Sequence, residues 1–456
     1  MTTTPILVVG AGPAGATAAR TLAAAGLPVC LLDRSSFPRN KPCGGGISTR
    51  VLTRFPYLES ALGRITTHTV ARLHLEGPDG HSTIIESDGP AALMIRRIEY
   101  DALLVSLAVE AGATLVPGVD VVQARQDAER VELVARDGRR FEGALVVAAD
   151  GVNSVIARRL GLNPGWPASS VAIDMMEETP RVTLRDVDPS TLWVAYGYDA
   201  RKSQGSSLNS QGSSLNSQGS SLKAHSSESS NLKLVTSARR APEGYAYIFP
   251  KRDHVNIGIG YVLSHYRQAI DAAPYELQRR FVSRLRDRGV VVGDSVKQNF
   301  TPFLIPVGGP LRETGRGRVL LAGDAGGFVN GFTAEGIYYG MVSGELAARA
   351  VLETGNGVSS LVRRYRRAWD YEIGAELRDS VRIQRYLFAD RARIAQVISG
   401  ANRERSSTRL ILDFAMGRRT YRDLRRRFLL RMPWLVGRLI WEQLREKRVV
   451  RSCLRH

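Results

Sequence analysis

Three glycines near the start of the chain are spaced to hold a phosphate. Gly10, Gly12 and Gly15 form a G-x-G-x-x-G run, with Pro13 and Ala14 inside it, directly after the apolar residues 6–9. Gly10 allows a tight turn, and Gly12 lets the backbone approach a pyrophosphate. Gly15 lets the following helix pack close on the strand, so that its N-terminal N–H groups and positive dipole end face the phosphates. A second apolar run, residues 29–32, ends in Asp33, where an acid accepts a hydrogen bond from a ribose hydroxyl. Strand, glycine turn, helix, strand and acid in this order describe a dinucleotide-binding unit. A second chemically active residue is Cys43, set in a loop with Gly44, Gly45 and Gly46. There a thiol can deliver a proton, position a substrate, or serve as a small buried filler. Cys30, inside a strand pattern, reads as core.

The elements that must carry these residues follow from apolar periodicity. Residues 5–33 read as β-α-β and 34–48 as a loop. Strands are expected within 67–86, a helix from Glu99 to Ala111, then strands at 114–116 and across 119–136. Residues 144–149 form a buried strand closed by Asp150-Gly151. Residues 170–198 and 232–262 are strand-like, and a helix near 273–288 precedes a short β segment. Residues 318–322 form another buried strand, followed by Gly323-Asp324 and a helix from Thr333 to about Thr354. Beyond it the chain reads as helical. A seven-residue Ser/Gly-rich unit occupies 203–209, 210–216 and 217–223. With one apolar position in seven it cannot form a coiled coil, and it reads as a disordered insert between two strands.

The chain has 456 residues, 43% of them hydrophobic, enough for one large core or two to three packed lobes. Cys30, Cys43 and Cys453 show no paired spacing, so no disulfide framework is expected and the chain reads as cytoplasmic. No apolar run approaches ~18 residues, so no spanning helix is expected. His68, His74 and His81 are spaced to suit no zinc site, and no metal is expected. The net charge is +19, with 16 Arg/Lys against 5 Asp/Glu in residues 401–456. No zinc pattern, RNA-binding signature or bZIP-like heptad accompanies this basic tail, which argues against a nucleic-acid partner. Residues 410–441 interleave Leu, Ile, Phe and Trp with Arg. Two readings stand for them: a helix lying peripherally on the anionic cytoplasmic face of a membrane, or a helical lobe covering the core with Arg in water.

Further signals fall in a fixed order: Arg97 at a helix start, Asp150 closing one strand, Gly323-Asp324 closing another, and a Gly331-to-Ile337 segment opening a helix. This set resembles the flavoprotein family that includes para-hydroxybenzoate hydroxylase, in which the pieces bind FAD. The resemblance implies that Asp324 holds a ribityl or ribose hydroxyl. It implies that Gly336 and Ile337 offer backbone N–H groups to the flavin pyrimidine end, and that Arg97 sits near the FAD phosphates or ribityl. Asp150 would support the fold or cofactor region, or be a plain turn. It also puts Arg34, Cys43, Gly44, Gly45, Val121 and Gly323 on the cofactor, beside Gly10, Gly12, Pro13, Ala14, Gly15 and Asp33. Two more motifs, K-P-C-G-G-G at residues 41–46 and Y-A-Y-I-F-P-K-R-D-H-V-N-I-G at 245–258, are similar to segments of the geranylgeranyl reductases. That family reduces isolated C=C bonds of polyprenyl chains on chlorophyll precursors, archaeal lipids or menaquinone. The chain carries Tyr247 where Trp is frequent in the family, and it lacks a clear P-x-x-Y-x-W segment, so the particular prenyl substrate stays open.

The implied fold class is α/β (α+β overall). A FAD-binding Rossmann-like domain would comprise residues 1–66, 96–168 and 299–355. A smaller β-rich substrate domain would comprise 67–95 and 169–298 with the disordered insert 201–231, and a basic helical C-terminal region 356–456. An unpolarised alkene takes hydride only if a proton reaches the other carbon nearly together with it, so the site needs a dry apolar channel and a proton donor. Cys43 is the candidate catalytic residue, and Tyr245, Tyr247 and Phe249 are expected to line the substrate. Lys251 and Asp253 read as turn residues or an ion pair, and His254 as an interstrand hydrogen-bonding group. The reductant is NADPH or a protein electron carrier. The rival readings are a FAD-dependent monooxygenase or halogenase on an apolar small molecule, and a flavin-binding module without turnover.

Overall fold

Residues 5–199, 240–354 and 358–430 of the computed structural model are described. The glycine turn sits on a six-stranded sheet in the order Gly315–Arg316, Val319–Leu321, Leu145–Ala148, Ile6–Val9, Val29–Asp33, Thr114–Pro117, parallel except for the first pair. Ile6–Val9 is buried at all four positions, as a strand covered on both faces must be. Helices Pro13–Ala24, Arg97–Glu110 and Ile337–Thr354 cover one face. A three-stranded antiparallel meander of Val121–Gln126, Val131–Ala135 and Arg140–Gly143 packs against the other.

Helices Pro13–Ala24 and Ile337–Thr354 meet backbone to backbone. A Cβ on Gly344 would lie 2.1 Å from the Ala14 carbonyl oxygen, and one on Gly340 would lie 3.8 Å from the Ala14 Cβ. At Gly344 only glycine allows that approach. Helix Ile337–Thr354 starts four residues later than the expected Thr333. Asn330 Oδ1 accepts hydrogen bonds from the N–H groups of Phe332 and Thr333 at 3.0 Å each, and Ala334 is left-handed with φ 56°. Local side-chain capture of the backbone wins over helix propensity there.

The second large sheet has seven strands in the order Phe300–Ile305, Ala172–Pro180, His254–Val262, Gly244–Pro250, Thr191–Tyr196, Arg72–Glu76, Ser82–Glu86. Helix Pro274–Asp287 buries Leu277, Phe281 and Leu285 against one face, where Trp193, Ile248 and Ile257 point. Met176, Val194, Tyr247 and Phe249 occupy the opposite face and pack on Val70 and Met94. Those last two belong to a small sheet of Gly46–Ser48, Ala92–Ile95 and Thr67–Val70. The expected loop 34–48 therefore ends as a strand, because Gly46–Ser48 pairs with Ala92–Ile95. After residue 357, helix Leu361–Trp369 passes through a π-helical turn, Asp370–Gly374, into Ala375–Phe388. Helices Arg391–Arg403 and Arg405–Ala415 follow, and residues 421–430 are also helical. The insert 201–231, Cys453 and residues 431–441 of the basic tail lie outside the described residues.

Arg50 ties three of these elements together. It is buried, donates to Glu376 Oε1 at 3.0 Å and to the Tyr339 hydroxyl at 2.7 Å, and lies 3.9 Å from the Tyr338 ring centroid. Burial opposes its charge, but Tyr339, Glu376 and Glu335 hold it protonated, well above its ordinary value. Arg50→Ala leaves Glu376 without its cation inside the protein and is expected to lower stability by about 3–5 kcal/mol. Chemical denaturation of the two chains checks this, and a midpoint equal to that of the wild type counts against it.

Candidate active site

The turn after Ile6–Val9 is closed by contacts that only glycine permits. Gly10 has φ 93°, and a Cβ on it would lie 2.3 Å from the Ala149 carbonyl oxygen; one on Gly15 would lie 1.8 Å from the Gly10 carbonyl oxygen. At Gly12 a Cβ would meet only an Arg39 guanidinium nitrogen, at 3.7 Å. Pro13 is the first residue of the helix, where its missing N–H costs nothing. Asp33 accepts from the Ala11 N–H at 2.7 Å and, through its other oxygen, from Ser35 at 2.8 Å. Arg34 beside it is exposed. Val121 is buried at the head of its strand, and the nearby Val119 N–H donates to the Asp33 carbonyl at 2.8 Å.

A second set of groups converges on the same turn. A Cβ on Gly323 would lie 2.9 Å from the Ala14 Cβ, and one on Gly336 would lie 3.4 Å from Asp324 Oδ1. Lys41 Nζ is 3.5 Å from Asp324 Oδ2. Ile337 begins its helix, so two helix N-termini, Asp324, Lys41 and Arg39 border one region. Positive dipole ends and cations of this kind suit a dinucleotide carrying two phosphates. The glycine turn at Gly12, with Arg39 beside it, and the close approaches at Gly10, Gly15 and Gly323 fit FAD.

Asp150 and Arg97 are engaged with the protein itself. Asp150 Oδ2 accepts from the Val155 and Ile156 N–H groups at 2.9 and 3.2 Å, at the start of helix Val155–Arg159, while burial pushes its carboxyl up. Arg97 is buried and bonds both oxygens of Asp101 at 2.6 and 2.7 Å. Burial opposes its charge, but Asp101 and the neighbouring Cys43 hold it protonated. Arg39 shares Asp101 at 3.1 Å. Of the two arginines, Arg39 borders Gly12, and Arg97 reaches towards the thiol.

Cys43 stands where the two large sheets meet. It is half-buried, its sulfur accepts from the Gly45 N–H at 3.4 Å, and its carbonyl accepts from Asn256 Nδ2 at 3.0 Å. The glycines after it are pressed onto the aromatic strand. A Cβ on Gly44 would lie 2.8 Å from the Phe249 ring, and one on Gly45 would lie 3.0 Å from Lys251 Nζ. Lys251 is buried and paired with Glu178, which also accepts from Arg96 at 2.8 Å. Although burial opposes its charge, Lys251 and Arg96 hold the Glu178 carboxylate below its ordinary range. The thiol thus lies beside two buried cations. Ser48, at the end of the loop, donates its N–H and hydroxyl to Glu335 Oε1 at 3.0 Å each, which links the loop to the segment before Ile337.

Tyr245, Tyr247 and Phe249 share one face of their strand, as a period of two requires. Tyr247 and Phe249 rings are 4.6 Å apart, and Tyr245 donates to the Thr333 carbonyl at 2.7 Å. Tyr196 and Phe332 stack at 4.8 Å. A narrow cleft, mainly apolar, opens here among Asp174, Tyr245, Gly260, Phe332 and Phe388. Arg39, Lys41, Asp174, Tyr196 and Phe332 are site residues that sequence reading passes over. For the first two the signal was present, as cations directly before Cys43; for Asp174 it was one acid in the otherwise apolar start of a strand.

The remaining candidates lie away from this centre or serve the fold. Lys251 is in an ion pair, and the Asp253 carbonyl accepts from the Arg181 N–H at 3.0 Å. His254 joins the hairpin through its carbonyl, which accepts from Lys251 N–H at 2.8 Å; its ring Nδ1 is buried without a partner. His68 contacts the Pro189 carbonyl at 2.6 Å and His81 pairs with Asp79 at 3.0 Å.

Residues 3–232 match the family described as FAD binding domain, and residues 218–292 match the geranylgeranyl reductase catalytic domain. The chain is 30% identical to the menaquinone reductase of Mycolicibacterium smegmatis over 80% of this chain and 78% of that one. It is 27% identical to digeranylgeranylglycerophospholipid reductase 2 of Methanothermobacter thermautotrophicus over 84% and 87%. A geranylgeranyl bacteriochlorophyll reductase-like protein from Thermoplasma acidophilum shares the fold, with TM-score 0.68, 19% identity and coverage of 87% and 91%. A glycine cradle for a dinucleotide, set against an aromatic strand, is thus found in a chain that matches both family models and the Mycolicibacterium smegmatis relative over most of its length: it belongs to the geranylgeranyl reductase family of FAD-dependent oxidoreductases.

Proposed function

We propose that this chain saturates C=C bonds in the polyprenyl chain of a lipid or quinone, using electrons from bound FAD. The observation that carries the reading is the Cys43–Gly44–Gly45 loop, pressed between the dinucleotide turn and the Tyr247–Phe249 face of the second sheet. In this reading Gly10, Gly12, Gly15, Pro13 and Ala14 take the pyrophosphate, with Arg39 as countercharge. Asp33, Arg34 and Val121 border the adenosine end. Gly323, Asp324 and Lys41 hold the ribityl, and Gly336 and Ile337 face the pyrimidine. Arg97 acts through Asp101 and Cys43 instead of touching the phosphates.

Bound reduced FAD supplies a hydride, and the protein must supply the rest. Tyr245 and Phe332, which line the apolar cleft, and Tyr247 and Phe249 on the same face as Tyr245 would keep water from the alkene, so that protons come only from fixed groups. The Cys43 thiol gives a proton to the second alkene carbon. Arg97 and Lys251 lie beside the sulfur that gives up this proton. The direct test is anaerobic: photoreduced FAD is mixed with geranylgeraniol and the product is weighed. A gain of two hydrogens per bond supports the reading. A product that appears only with oxygen, or carries oxygen or halogen, supports the monooxygenase or halogenase reading instead. Supplying NADPH or reduced ferredoxin in place of light identifies the reductant class.

We also propose peripheral contact with an anionic membrane. No helix of the described residues is long and apolar enough to cross one. Leu429 and Leu430, 58% and 71% exposed, follow Arg425, Arg426 and Arg427 on the helix 421–430, and Ile411 is exposed nearby in sequence. Apolar residues beside arginines suit an interface with anionic headgroups. The full chain is expected to float with anionic liposomes at low salt and to be released as salt rises; recovery in the unfloated fraction at low salt overturns this.

A further inference from the structure

Glu335 is a half-buried acid that the thiol chemistry above leaves unused. It lies directly before Gly336 and Ile337, the residues assigned above to the flavin pyrimidine. Its Oε1 accepts twice from Ser48, from the N–H and from the hydroxyl, at 3.0 Å each. The same hydroxyl oxygen accepts from Arg50 Nε at 3.0 Å. A guanidinium only donates, so the hydroxyl proton must point to Glu335, and the contact has one orientation. Glu335 Oε2 lies 3.7 Å from Arg50 Nη2, which meets the charge of the carboxylate.

The thiol loop depends on that contact. Gly46–Ser48 pairs with Ala92–Ile95 on one side, and among the described residues it is the edge of its sheet. The N–H groups of an edge strand need partners from elsewhere, and Glu335 takes the one of Ser48. Between Cys43 and this strand stand Gly44 and Gly45, the second left-handed with φ 73°. Glycines fix no conformation by themselves, so the ends of the loop must set where the thiol lies. At one end Asn256 donates to the Cys43 carbonyl at 3.0 Å; at the other, Glu335 holds Ser48. Glu335 is tied down in turn. Its carbonyl accepts from the Asn330 N–H at 3.0 Å, and its own N–H donates to Thr333 Oγ1 at 3.3 Å.

Resting on the prenyl-reductase reading, we infer that Glu335 is a positioning residue of the reaction: its carboxylate locks the Cys43 loop to the segment that faces the flavin, and so sets the separation of thiol and ring. No bond to Glu335 forms or breaks, and no proton passes through it. What it supplies is geometry. Hydride and proton must reach the two alkene carbons nearly together, and a misplacement of about 1 Å costs about a hundredfold in rate. The lock continues through Arg50 to Glu376 at 3.0 Å, on helix Ala375–Phe388, whose Gln384 and Phe388 line the cleft. One chain of polar contacts thus joins thiol loop, cofactor segment and cleft wall.

The test uses the full chain with its FAD and the variants Glu335→Ala, Glu335→Gln and Ser48→Ala. Alanine removes the acceptor of both Ser48 donors; glutamine restores it, because its carbonyl oxygen accepts from both. Iodoacetamide reads the loop without turnover, with labelling followed on the peptide that contains Cys43. Loss of two hydrogen bonds eases local opening, so Glu335→Ala is expected to label about tenfold faster than the wild type, and Glu335→Gln within about threefold of it. Stopped-flow reoxidation of photoreduced FAD by geranylgeraniol reads the chemistry. Glu335→Ala is expected to lower the limiting rate about tenfold or more, with the half-saturating geranylgeraniol concentration little changed, and glutamine is expected to restore the rate. Ser48→Ala keeps the carboxylate and one of its two donors, so it should label at a rate between those of wild type and alanine. It decides the point if Glu335→Ala does not retain FAD, and there labelling equal to wild type overturns the inference. Equal labelling of wild type and Glu335→Ala, an unchanged limiting rate, or a glutamine variant as slow as alanine overturns it too. A wild type whose reduced FAD geranylgeraniol does not reoxidise overturns the prenyl reading instead, and the labelling still decides whether Glu335 holds the loop.

Discussion

Cys43→Ala is expected to give a yellow protein that has nearly lost its chemistry. The side chain is half-buried and its hydrogen bond from Gly45, at 3.4 Å, is long, so its removal leaves the loop in place and the flavin bound. What goes is the proton at the alkene carbon. A positioned acid contributes roughly 10²–10⁴-fold, so reoxidation of reduced FAD by a prenyl alcohol should slow by at least about a hundredfold. Cys43→Ser keeps the size and a hydroxyl but offers a much weaker acid between Arg97 and Lys251, and it should recover little of the loss. Stopped-flow traces at matched flavin occupancy decide the point. If alanine retains half the rate, Cys43 is packing and the donor lies elsewhere.

Gly10→Ala is expected to produce the opposite failure: a folded or partly folded chain that does not retain FAD. The residue has φ 93°, and the added carbon would lie 2.3 Å from the Ala149 carbonyl oxygen and 2.7 Å from its carbon. Neither neighbour can move freely, because the Ala149 N–H donates to the Val9 carbonyl at 2.7 Å and thereby joins two central strands. The left-handed backbone alone costs about 1–3 kcal/mol, and the clash adds to it. Relief requires the turn to open, which swings the Pro13 helix end away from the phosphates. FAD affinity should fall by at least about a hundredfold, some 2.7 kcal/mol, measured by fluorescence titration of apoprotein. An unchanged affinity would show that the phosphates bind elsewhere.

The β-α-β unit is legible in residues 5–33 because its signals are local: apolar runs of strand length, glycines at fixed offsets, and an acid where the second strand ends. The Tyr245–Phe249 face is legible for the same reason, since alternation alone puts the three rings on one side. What escapes a linear reading is set by contacts across the chain. Arg39 lies over Gly12 because Asp101, from a different helix, holds it. Asp174 is an ordinary strand acid until Gly258 and Gly260, more than eighty residues later, clear the space that lets Tyr247 reach it. The helix expected from Thr333 is shortened by Asn330, whose side chain takes two N–H groups before the helix can. Apolar periodicity carries no record of such competition.

The sheet order has a consequence for how the protein is made. Ile6–Val9 emerges from the ribosome first, yet its neighbour Leu145–Ala148 follows only after more than a hundred residues, and Val319–Leu321 after three hundred. Gly344, which seats the second helix on Ala14, is translated later still. A nascent chain therefore carries the complete phosphate turn through most of its synthesis without the partners that would close it on a ligand. Cofactor capture becomes a late event, and a ribosome stalled before residue 344 should release a polypeptide that no supply of riboflavin can turn yellow.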